Sequence, residues 1–86
     1  MNTPTLVTAA LSIEKPWWVT RWEMKYCESN GRYGVLVRLW VSLVVRKDQH
    51  IGCVHFIANE VATKLVEAEF KDASIWIEIE TGPSLN

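Results

Sequence analysis

Asn30-Gly31 stands between two runs in which large apolar residues alternate with polar ones, and this dipeptide constrains the fold more than any other feature of the chain. Both residues accept the positive φ angles of a type I′ turn, whose twist matches that of the strands it joins. A two-residue loop sets Ser29 opposite Arg32 and fixes every pair behind it. One face then pairs Tyr26 with Val35, Met24 with Val37, Trp22 with Leu39, Thr20 with Val41 and Trp18 with Leu43. The other pairs Lys25 with Leu36, Glu23 with Arg38, Arg21 with Trp40, Val19 with Ser42 and Trp17 with Val44. The first face is almost wholly apolar. The second carries an opposite-charge pair and an arginine–indole pair, each worth ~0.2–1 kcal/mol. A one-residue slip would mix the two faces. The pattern therefore predicts strands over about 17–28 and 33–46.

The remaining segments are read by period. Residues 5–13 alternate Val7, Ala9, Leu11 and Ile13 against Thr8, Ala10 and Ser12, which predicts a strand ended by Pro16, with a short helix as the competing reading. Residues 74–81 alternate Ile75, Ile77 and Ile79 against Trp76, Glu78 and Glu80, a half-buried strand. Residues 58–71 predict a helix, with Ala58, Val61, Ala62, Leu65 and Ala68 on one face and Glu60–Lys64 and Glu67–Lys71 as favourable i,i+4 pairs. The segment 51–57, "IGCVHFI", fits a strand or an early start of that helix; its β-branched and aromatic content favours the strand. If so, 51–57 and 74–81 run parallel through a crossover helix. The expected fold is α+β: a mostly antiparallel, strongly bent sheet of four to five strands (about 5–13, 17–28, 33–46, 51–57 and 74–81) with one helix (about 58–71) on one face.

At 86 residues the expectation is a single domain, 1–86. About half the residues are apolar (49%) and five are tryptophan, so the core is rich for this size. The formal charge of -1 disfavours broad electrostatic binding to nucleic acid or anionic membrane. Met1–Ser12 lacks the basic start and long apolar run of a signal peptide, and no apolar stretch is long enough to span a bilayer. The cytoplasm is the expected compartment, where Cys27 and Cys53 are free thiols rather than a bridge. Pro83–Asn86 is expected to be a loose tail.

Coverage of the sheet raises a question of partners. A helix of that length spans ~21 Å, whereas a straight strand over 33–46 spans ~46 Å. Either the sheet bends, at Gly34 or Gly52, or a second subunit covers the rest. The outer face adds Trp17, Val19, Leu36, Trp40, Val44 and Trp76, a patch larger than a monomer usually leaves bare. A homodimer or a docked protein partner is expected there, with Trp17, Trp40 and Trp76 as anchors, Val44 part of the same surface, and Arg21 and Arg38 fixing orientation. The competing reading is that the 5–13 segment or a curled edge strand covers this face.

Chemical constellations are sparse. His50, Cys53 and His55 have no recognised zinc spacing. Cys53 and His55 lack a third orienting group for nucleophilic catalysis. Glu60, Glu67, Glu69, Glu78 and Glu80 read as surface, and no phosphate-binding glycine motif is present. No catalytic, cofactor-binding or metal-ligating residue is assigned, and the chain is read as a non-enzymatic interaction protein. A second class is a small-ligand binder with an aromatic pocket from Trp18, Trp22, Met24 and Tyr26. A third is a single-strand nucleic-acid module built on Arg21, Arg38, Trp17 and Trp40, against which Glu23, Glu78 and Glu80 count. In composition, though in no specific motif, the chain resembles compact products of mobile elements, such as phage inhibitors of host defence or gene-cassette proteins. That resemblance implies an accessory or inhibitor role.

Overall fold

The computed structural model describes residues 3–80; the expected loose tail at Pro83–Asn86 lies outside them. The chain runs α1 (Thr3–Leu11), β1 (Val19–Ser29), β2 (Arg32–Val41), a single 3-10 turn (Lys47–Gln49), α2 (His50–Glu67) and β3 (Ser74–Glu80). The three strands form one mixed sheet in the order β1-β2-β3. The class is α+β as expected, but the sheet has three strands rather than four to five, and two helices rather than one pack on it.

The hairpin forms as the turn chemistry dictates. Asn30 and Gly31 have φ of 53° and 77°, and the register runs from Ser29–Arg32 to Arg21–Trp40 as expected. It breaks at Thr20, where a bulge makes Val19 the partner of Val41. That one-residue shift turns Val19 into the core, at 3% exposure, and Thr20 outward. The Thr20 hydroxyl donates to the Trp40 carbonyl at 3.1 Å. The strands are therefore shorter than 17–28 and 33–46 at the end away from the turn, and the expected pairs Trp18–Leu43 and Trp17–Val44 do not form. Trp17 and Trp18 sit instead in a turn closed by the Val19 N–H on Pro16, and Leu43 and Val44 in a turn closed by Val45 on Ser42.

Residues 5–13 are mostly helical, not a strand. The segment is apolar at so many positions that both periods fit it, and packing chooses the helical one. Leu6, Ala10 and Ile13 are buried, at i, i+4 and i+7, with Ile13 just beyond the helix end. Residues 51–57 are not a strand either. Cys53, Ile57, Val61 and Leu65 make one buried stripe, so the helix expected at 58–71 starts at His50. It ends at Glu67, because Glu69 takes a left-handed φ of 69°. The Phe70 N–H then reaches the Leu65 carbonyl and the Glu69 N–H the Val66 carbonyl, the Schellman arrangement.

Helix α2 spans ~27 Å and returns the chain along the length of β2, so β3 lies parallel to β2, from Gly34–Ser74 to Trp40–Glu80. The central strand buries Val35, Val37, Leu39 and Val41 completely or nearly so. Both helices cover this face, together with half-buried Trp22, Met24 and Tyr26 from β1 and Ile75, Ile77 and Ile79 from β3. With β2 only ten residues long and α1 added to the cover, the expected shortfall in helix length disappears. Among the described residues no helix covers the opposite face of the sheet. Gly34 is required at the start of the parallel pair, since a Cβ there would collide with the Ser74 backbone.

Candidate functional site

The structure divides the expected interaction residues between two places. Arg21, Arg38, Trp40 and Trp76 lie on the helix-free face of the sheet, in rows set by the register. Lys25, Leu36 and Trp76 form one row, Glu23, Arg38 and Glu78 the next, and Arg21, Trp40 and Glu80 the third. The Arg21 guanidinium lies 4.7 Å from the centre of the Trp40 ring, and that of Arg38 lies 6.0 Å away. Arg21 pairs with Glu23, while Arg38 reaches Glu78 at 3.2 Å, Glu80 at 3.9 Å and Glu23 at 4.0 Å. These side chains are partly exposed, so each pair contributes ~0–1 kcal/mol. Their electrostatic effect is clearer: three carboxylates enclose two guanidinium groups, and an arginine lies over the ring a base would stack on. Phosphate is poorly served by such a surface. An open depression of about 370 Å³ lies beside it, lined in part by Cys27, Leu36 and Trp76.

Trp17 and Val44 are elsewhere, at the end of the molecule where the hairpin strands stop. The two turns there meet the first part of α2. Gln49, Gly52, Cys53 and Phe56 follow one another at helical spacing and make one wall of a groove. Trp17, Trp18, Val44 and Val45 make the rest, around a volume of about 380 Å³. Trp18 is half-buried and meets Phe56 edge to face, with ring centres 5.9 Å apart. Trp17 is 78% exposed and Val44 71%, with the equally bare Leu43 next to Val44 in the chain. Among the described residues no charged side chain lines the groove.

Of the residues expected to line a pocket, Trp18 borders this groove. Trp22, Met24 and Tyr26 pack instead against the core under the helices. The Tyr26 phenol is pushed up by lost hydration and, less, by the Glu28 carboxylate. Gln49, Gly52, Cys53 and Phe56 were not expected at a site. Their spacing of three, four and seven is the signal that identifies them, once the segment is read as helix.

Cys53 lies at the groove with its thiol pushed up by burial, partly offset by a backbone hydrogen bond. It is therefore protonated and weakly nucleophilic at neutral pH. Both cysteines are free. Among the described residues no three His, Cys, Asp or Glu side chains are grouped to hold a metal ion, and no helix is long and apolar enough to cross a membrane.

Fold and site together define a small α+β protein with a bare aromatic groove at one end of a single sheet packed against two helices. Compared with protein families, curated proteins and solved structures, the chain has no significant match.

Proposed function

We propose that this chain is a non-enzymatic protein-interaction module that docks through its apolar end rather than through the sheet. One observation carries the reading: Trp17 is 78% exposed beside an uncharged groove of about 380 Å³. Leaving an indole in water forgoes ~1.5–3 kcal/mol of burial, and tryptophans in such positions are common anchors of protein interfaces. The sheet face, where Arg21, Arg38 and Trp40 were expected to act, supports docking less well because both arginines already pair with Glu23, Glu78 or Glu80 on that face. A small ligand fits the groove by volume, since pockets of ~300–1,000 Å³ hold drug-sized molecules. The bare walls argue against it, because such sites normally enclose most of the ligand.

Site-specific photocrosslinking tests the reading. A photoreactive residue at Val44 should yield protein adducts in the cell of origin, and the same residue at Lys25, on the sheet face, should not. Adducts from Lys25 alone would transfer the function to the sheet. No protein adduct from either position would sink the interaction reading.

A further inference from the structure

We infer that the groove takes a second copy of this chain, the Trp17 of each protomer entering the groove of the other about a two-fold axis. The inference rests on the interaction reading above and names the partner. A two-fold interface uses the same patch on both subunits, so the patch must complement itself. This one offers both halves of the match: the exposed indole of Trp17 and the apolar groove that it borders together with Trp18, Gly52, Phe56 and Val44.

Gly52 leaves one position of the groove lining without a side chain. Glycine within a helix is less favourable than alanine, because it loses more backbone freedom on folding. Neither packing nor backbone demands it here, because a Cβ at Gly52 would meet nothing within 4 Å and no positive φ is required. Because Gly52 borders the groove, a large side chain there would compete with an occupant for that open space.

Charge permits the contact. The exposed residues flanking the patch carry both signs, Glu14 and Lys15 before Trp17 and Arg46, Lys47 and Asp48 after Val45. Two copies would therefore meet without a uniform repulsive field. Area permits it too. Trp17, Leu43, Val44 and Phe56 together expose on the order of 500 Å² per copy. The pair would then bury ~1,000 Å², the lower limit for a specific interface. The complex is accordingly weak and reversible.

Sedimentation velocity from ~5 to ~500 µM follows this reversible association, and fluorine NMR of fluorotryptophan-labelled protein reports on each indole, Trp17 being assigned by its loss in Trp17→Phe. The wild type should pass from monomer to dimer as concentration rises, with the Trp17 resonance shifting. Trp17→Ala and the bulky Gly52→Leu should each weaken association by at least ~10-fold, with monomer melting unchanged in the first and no lower than wild type in the second. A wild type that stays monomeric while Trp17 remains open to solvent overturns the dimer and leaves the interaction reading standing. A Trp17 shielded from solvent in the monomer overturns both. A dimer that survives both substitutions also overturns the inference, and its loss in Arg38→Glu would move the contact to the sheet face.

Discussion

Two surfaces of this molecule display tryptophan, and they treat it in opposite ways. On the sheet, Trp40 has a cross-strand neighbour on each side, and its ring lies under the Arg21 guanidinium with Arg38 close by. At the groove, Trp17 sits in a turn before β1 begins, where no ladder supplies flanking side chains, and most of its surface is bare. A strand interior brings its neighbours within ~5 Å on either side, so long charged side chains there readily cover an aromatic ring. A turn has no such neighbours. Composition alone does not separate the two cases; register does.

The glycines break the comparison most sharply. Gly34 is held by the sheet and Gly52 is not, although both are followed by apolar residues and neither has a positive φ. Gly34→Ala forces a methyl into the Ser74 backbone and should cost about 3 kcal/mol in urea unfolding. Gly52→Ala should instead leave stability equal or raise it by up to ~1 kcal/mol. Equal losses at both positions would mean that Gly52 is also a packing residue and that the groove is closed.

Adjacent tryptophans sharpen the comparison next. Trp18→Ala removes the edge-to-face contact with Phe56 and part of the support of the core, and should cost ~2 kcal/mol, less than a fully buried tryptophan. Trp17→Ala should change monomer stability by less than ~0.5 kcal/mol. If thermal melts show the two substitutions to be equally damaging, Trp17 is a core residue.

The cysteines probe the same two regions by chemistry. Cys27 is partly exposed on the sheet side, whereas Cys53 is buried at the groove. Alkylation followed by mass spectrometry should modify Cys27 first, with the difference vanishing in denaturant. Burial raises the Cys53 pKa above its ordinary 9.0, so the folded state holds that proton more tightly than the unfolded chain does. The resulting stability is full below about pH 9 and falls as pH rises through the folded value. Cys53→Ser should remove that part of the alkaline decline. An unaltered pH profile would count against a desolvated thiol.

How far the sequence revealed these regions follows from how local their causes are. The hairpin was legible because turn chemistry, alternation and cross-strand charge all favoured one register from Arg21 to Ser29. The bulge at Thr20 was not, because its effect is to bury Val19 against helices that local alternation does not show. Residues 5–13 satisfied both periods, and only the packing of Leu6, Ala10 and Ile13 chooses between them. In 51–57 the β-branched residues outweighed the stripe of Cys53, Ile57, Val61 and Leu65 that continues it as helix. With a helix confined to 58–71, neither the direction of β3 relative to β2 nor the groove wall of Gln49, Gly52, Cys53 and Phe56 follows. The six interaction residues thus seemed to share one face, and four of them do.

The smallest expected effect also gives the cleanest division between the surfaces. At 1 M NaCl the screening length falls to ~3 Å, so the ion pairs of Arg38 with Glu78 and Glu80, each worth ~0–1 kcal/mol, should weaken. Monomer stability should then fall by up to ~0.5 kcal/mol relative to Arg38→Met, which has no such pairs to lose. The groove is lined without charge, so association through it should be unchanged by the same salt, or slightly strengthened. Sedimentation and urea melts on one series of NaCl concentrations measure both responses. A complex that dissociates in step with the loss of stability would mean that the arginines, not Trp17, make the contact.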